Sequence, residues 1–177
     1  ASQSNVRSNL APMGFTLFNA YRDEIPAANA RAVVTNNVNS GVWAVSYFGH
    51  GSAVQWADIL HTGHVAQLNN PVWPIFTVMT CNNGAFANPT NECMAELLQE
   101  RNQRSASATL SASALSVQEA ANHYARGFYG FFTNAPPRAR LGDAVRAAQS
   151  ELWLFSPASQ ELLFYTLFGD PAQVVWP

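Results

Sequence analysis

Lysine is absent from this chain of 177 residues, and all nine of its cationic side chains are arginine. Charge of either sign is sparse, 11% of residues with a formal net charge of −2. That leaves no electrostatic case for binding nucleic acid or an anionic membrane surface. Cysteine is equally scarce. The two that occur, Cys81 and Cys93, rule out a disulfide scaffold and a cysteine-rich zinc site. No apolar run reaches the length needed to cross a bilayer. The signal-peptide layout is missing too, which fits a chain that begins after processing. There is no internal repeat, low-complexity block or inter-domain linker.

What is present is apolar bulk: 48% hydrophobic residues, 12% of all residues aromatic, enough for one domain with one sizeable core. Val42 to Phe48 reads as a buried strand that stops at Gly49-His50-Gly51-Ser52. About thirty residues on, Pro74 to Thr80 repeats the pattern and stops at Cys81-Asn82-Asn83-Gly84.

Residues 1–14 are polar and read as an irregular tail, and Phe15 to Tyr21 as a first strand. Pro26 opens a helix to about Asn36. Trp56 to Leu68 is a loop with a short helical piece, followed by a helix over Asn91 to Asn102 and a weak strand at Ala108 to Leu110. Ser116-Val117-Gln118-Glu119 has the spacing of a capping box opening a helix to Phe132. Leu141 to Trp153 forms another helix, and Val174 to Trp176 a short last strand. The alternation predicts an α/β fold with a mainly parallel sheet. Parallel strands end on one edge, where ligand sites of open α/β sheets lie. Neighbouring strands would put His50 and Cys81 about 5 Å apart.

A thiolate that attacks a carbonyl needs a partner to protonate the departing amine. Cys81 is the candidate nucleophile and His50 the candidate acid–base. The amides of Gly51 and Cys81 are candidate oxyanion donors, with Ser52, Trp56, Asn82 and Gly84 as cleft-lining candidates. Cys93 sits at an amphipathic helix start and reads as a small core residue. His61 and His64 are three apart, but only Asp58 is placed to extend a metal site, so no metal is expected. His123, in an aromatic helix, reads as structural, as does Asp170 in a Gly-Asp-Pro turn.

The run Tyr47-Phe48-Gly49-His50-Gly51-Ser52, with Trp56 four places on, resembles the histidine motif of gingipain-type cysteine peptidases. His64 to Leu68, Pro74 to Phe76 leading to Cys81-Asn82-Asn83-Gly84, Cys93 to Leu97, and Leu167 to Pro171 follow in the family's order. The resemblance covers roughly residues 40–177. It implies a caspase-like three-layer sandwich over residues 15–177, within a larger secreted or cell-surface bacterial protein. It also implies endopeptidase activity on polypeptides, with no catalytic cofactor and room for a structural calcium ion. Its other readings are a processing peptidase of an outer-membrane secretion system and an inactive caspase-like module in a surface assembly.

Upstream of the histidine motif, the family carries the acid that orients the histidine and another that fixes the cleavage-site side chain. There this sequence has only Asp23 and Glu24, neither in a matching motif. Near Ser116–Glu119 the specificity-pocket tryptophan has no counterpart, so Arg or Lys specificity is not implied. Only one strand, Phe15 to Tyr21, precedes the His50 strand where a caspase-like sheet has two. The expectation is that the first strand and helix come from the upstream part of the precursor or from a neighbouring chain.

Overall fold

The computed structural model describes residues 2–100 and 106–175. Helix α1 (Ser2–Leu10) and a 3-10 turn (Ala11–Met13) lead to α2 (Ala27–Ser40) and strand β1 (Ala44–Phe48). The short strands β2 (Gly51–Ser52), β3 (Gln55–Trp56) and β4 (Leu60–His61) form a small antiparallel sheet. Helix α3 (Thr62–Val65), β5 (Ile75–Met79), α4 (Met94–Glu100) and β6 (Ala108–Ala112) follow. Helices α5 (Gln118–Phe132) and α6 (Leu141–Phe155), a 3-10 turn (Ser159–Leu163) and β7 (Tyr165–Gly169) complete the order.

The main sheet runs β1-β5-β6-β7. The first three strands are parallel, and β7 is antiparallel to β6. All residues of β5 and β6 are buried, as expected for central strands covered on both faces. On one face lie α1, α5 and α6, with Val6, Leu10, Phe128, Phe132, Leu141 and Leu152 in a single core. On the other lie α2, α3 and α4, with Ala30, Val38, Val65, Met94 and Leu98 packed with Tyr47 and Trp56. The result is a three-layer α/β sandwich. Helix α5 repeats its apolar residues at helical spacing from Ala120 to Phe132. It meets α6 closely at Gly127, where a Cβ would come within 2.7 Å of Ala147 O, Ala148 Cα and Glu151 Cβ.

Five expectations change. Residues 1–14 are not an irregular tail: α1 buries Val6 and Leu10 against the core shared with α5. Their i, i+4 spacing carried that helix, and the polar residues around it hid the stripe. Residues 15–20 have no regular secondary structure and form no strand; no described strand pairs with β1 on its side away from β5. Ser116 does not cap α5, whose N-cap is Val117 without a side-chain bond. Its hydroxyl turns instead to Glu161 and Tyr165. At the C-terminal end, Val174 makes one isolated bridge to Arg140 in place of a strand, and Trp176 lies outside the described residues. The helix expected over 91–102 forms from Met94 to Glu100, with residues 101 and 102 outside the description.

Candidate active site

Strands β1 and β5 are neighbours in register, Phe48 opposite Met79. The Gly49 amide donates to the Met79 carbonyl at 3.3 Å, so the ladder continues past the strand ends. His50 and Cys81 each lie two residues beyond that last pair. The parallel arrangement therefore delivers both to one edge of the sheet, as the two strand-end motifs predict. His50 is exposed and Cys81 half-buried.

Each motif is fixed by groups that the sequence does not advertise. The Tyr47 hydroxyl donates to the His50 carbonyl at 2.6 Å, and its ring stacks on Trp56 at 4.7 Å. Burial pushes the Tyr47 hydroxyl up to about 12, so it remains a donor throughout the neutral range. Asn83 is fully buried and bridges the two motifs. Its Oδ1 accepts from Trp56 Nε1 at 3.0 Å, and its Nδ2 donates to the Ser52 carbonyl at 2.8 Å. The first amides of α4 complete the clamp, Met94 donating to Ala53 O at 2.7 Å and Ala95 to Asn83 O at 3.2 Å.

On its other side the thiol meets the loop after β6. Cys81 Sγ accepts from the Ser116 amide at 3.4 Å and donates to the Ser116 carbonyl at 3.5 Å. That loop is anchored from below by Glu161, a buried carboxylate. Its Oε2 accepts from Ser116 Oγ at 2.6 Å and its Oε1 from the Val117 amide at 2.9 Å. Tyr165 OH lies 2.8 Å from the same Ser116 hydroxyl. Asn82 takes a left-handed backbone at φ 57°, and its amide donates to Ala114 O at 2.9 Å.

The cleft-lining candidates divide. Ser52 and Asn82 are half-exposed, whereas Trp56 and Gly84 are buried. Trp56 serves as a packing plate under Tyr47. Gly84 gives room to Phe168, whose Cε2 would lie 3.0 Å from an added Cβ. Gly51 is hemmed in as well, since a Cβ there would sit 2.6 Å from Thr80 Oγ1 and 2.7 Å from Gln55 O. Asn83, Ser116 and Glu161 were missed as contributors, because their signal is in hydrogen bonds across 27 to 45 positions of sequence.

The other histidines and acids take structural places. His61 Nδ1 accepts from the Gly63 amide, and His64 Nδ1 from the His61 amide, capping α3. No cluster of three metal-ligating side chains occurs among the described residues. His123 lies 3.3 Å from Glu151 across the α5–α6 contact. Asp170 Oδ1 accepts from the Ala172 amide within its turn. Cys93 is fully buried, and burial pushes its thiol up to about 11. No helix of the described residues is long and apolar enough to cross a membrane.

The family model of Peptidase family C25 matches residues 2–176. The chain belongs to peptidase family C25. The C25 chain superposes with a TM-score of 0.86 on the complex of the pro- and mature domains of Porphyromonas gingivalis RgpB, at 20% identity over 98% of this chain and 43% of that one. The crystal structure of the Arg-specific cysteine proteinase gingipain R (RgpB) gives the same score and identity over 98% and 42%. A third solved structure, described only as a protease, gives 0.71 at 17% identity over 78% and 36%. A search of the curated proteins finds no match. The C25 chain thus has the gingipain fold and spans less than half the length of the solved relatives.

Proposed function

We propose that this chain carries the reactive edge of a gingipain-type cysteine endopeptidase, with Cys81 as nucleophile and His50 as general acid–base. The observation that carries the reading is the placement of His50 and Cys81 at matching steps beyond two adjacent parallel strands. In this reading the Cys81 sulfur attacks the substrate carbonyl carbon. The imidazole of His50 then protonates the departing amine, leaving a thioester that water hydrolyses.

Amides of Gly51 and Cys81 would bind the oxyanion. Support for Gly51 comes from its hairpin: Ser52 and Gln55 close a two-residue turn, and ladder alternation leaves the next pair, Gly51 and Trp56, without mutual bonds. Among the described residues His50 is in no ion pair with a carboxylate. A polypeptide substrate and a secreted or surface location are part of the same proposal and rest on the family.

The test is alkylation by iodoacetamide near neutral pH, read by mass spectrometry. Cys81 should be labelled well ahead of Cys93, and His50→Ala should slow Cys81 without altering the melting temperature. Equal labelling of both thiols, or no effect of His50→Ala, would overturn the dyad. With a peptide library as substrate, Cys81→Ala should abolish cleavage that Cys93→Ser retains.

A further inference from the structure

Cys81 leans on the loop after β6, and that loop decides what lies beside the sulfur. Sγ accepts from the Ser116 amide at 3.4 Å and donates to the Ser116 carbonyl at 3.5 Å. A carbonyl carbon under attack comes within about 3–3.5 Å of its nucleophile. The substrate residue that carries it is therefore brought alongside residues 115–117.

The side chains of those three residues divide by parity. Residues 115–117 form no turn or bend, and Val117 is extended at φ −91° and ψ 149°. In extended backbone, successive side chains point to opposite sides. Ser116 points inward, its hydroxyl held by Glu161 and Tyr165. Leu115 and Val117 point outward, and they are 72% and 51% exposed. Leu163, 84% exposed, stands in the 3-10 turn that carries Glu161. That turn is tied to the same loop, the Ser113 amide donating to Phe164 O at 2.8 Å. Three large apolar side chains thus stand in water on the segments that meet beside the thiol, where exposed apolar surface marks a place of contact.

Charge is nearly missing from these segments. Residues 113–121 and 159–164 contain no arginine, lysine or histidine, and their two acids are Glu119 and Glu161. Glu161 is buried, with each oxygen bonded on the inner side of the loop. Glu119 is exposed in the first turn of α5, where water screens it and an ion pair adds little. Covering Leu115 and Val117 with apolar surface gains in proportion to the area removed from water. Pressing a cation against them strips its hydration without supplying a partner.

On the reading of Cys81 as nucleophile, we infer that the substrate residue whose carbonyl it attacks carries a large apolar side chain, of the leucine, methionine or phenylalanine class. Leu115 and Val117 receive that side chain. They are specificity residues, touching the substrate beside the reacting atoms and not the atoms themselves. The preference is opposite in character to that of the Arg-specific proteinase whose fold the chain shares.

The experiment uses the full encoded protein and N-capped dipeptidyl chloromethyl ketones that differ only in the residue next to the ketone: leucine, phenylalanine, alanine or arginine. The Cys81 sulfur displaces chloride and keeps the peptide, so the labelling rate reads recognition without turnover, and mass spectrometry locates the label. The leucine and phenylalanine probes should label Cys81 at least about tenfold faster than the alanine probe, and the arginine probe no faster than alanine. Joint substitution Leu115→Ala and Val117→Ala should bring the leucine-to-alanine ratio below about threefold. The melting temperature should hold, because both side chains are exposed. An arginine probe that labels fastest would overturn the inference and point to Glu119. Rates within about twofold across the series would overturn it too, as would an apolar preference that survives the joint substitution. Iodoacetamide run in parallel separates the two readings. Labelling of Cys81 ahead of Cys93 with no apolar preference defeats this inference alone, whereas equal labelling of the two thiols removes the nucleophile and the inference with it.

Discussion

Replacing Asn83 by alanine should loosen the molecule where its side chain bridges the two motif loops. The substitution removes the acceptor for Trp56 Nε1 and the donor to Ser52 O. The indole is almost fully buried, so its N–H is left without a partner at a cost of about 1–3 kcal/mol. The Ser52 carbonyl is only partly buried and adds about 0.5–1.5 kcal/mol. A loss of about 2–4 kcal/mol in a domain of this size lowers the melting temperature by roughly 4–16 °C.

Thermal and urea unfolding followed by circular dichroism measure the loss. A double-mutant cycle with Trp56→Phe separates the bridge from general packing. If the indole bond is as described, part of the cost of Asn83→Ala disappears once the indole is gone, a coupling of about 1 kcal/mol. A melting temperature within about 2 °C of the parent, or additivity within about 0.5 kcal/mol, would refute the clamp.

Glu161→Ala should remove both bonds that anchor Ser116 and Val117. It should change the alkylation rate of Cys81, whose sulfur bonds the backbone of Ser116, and cost at least about 2 kcal/mol of stability. Gly127→Ala places a methyl group 2.7 Å from α6 and should destabilise by about 1–3 kcal/mol, visible as a lower urea midpoint. Tyr47 has its hydroxyl held protonated in the fold up to about pH 12 by burial, while the unfolded chain ionises it near 10. Its share of stability is therefore complete below pH 10 and is lost as pH rises towards 12. Tyr47→Phe should flatten that alkaline decline and cost about 1 kcal/mol at neutral pH, measured as unfolding free energy against pH.

The elements that could be read from the chain are those whose partners come with them. The β1 and β5 segments are apolar runs with abrupt Gly-His-Gly and Cys-Asn-Asn-Gly ends. Strand β5 is buried on both faces, as such runs are in parallel sheets, whereas in β1 only Tyr47 is buried and the expected buried strand is half-buried. Helices α5 and α6 repeat their apolar residues over four turns. Residues 15–20 have the same strand-like composition, yet a strand also needs a neighbour at ladder distance, which no single segment can announce. For α1 the reverse holds, since two buried residues among polar ones suffice once α5 is there to receive them. At the site, the residue types and their strand-end positions were legible. The supports were not: Ser116 has a good helix-capping context, and only the presence of Glu161 and Tyr165 decides where its hydroxyl turns.

The anchorage of the Cys81 loop by Glu161 has a consequence in time. Glu161 follows His50 by more than a hundred residues, and it is held beside Ser116 by the last turn before β7. During synthesis, which proceeds from the N-terminus, β1, β5 and the hairpin between them are complete long before that carboxylate has been made. The loop facing the thiol therefore lacks this carboxylate anchor until the chain has been released through Glu161 and β7 has paired with β6. A nascent chain that has reached β5 carries His50 and Cys81 but not yet their fixed relation to the Ser116 loop, which is acquired only once Glu161 is in place.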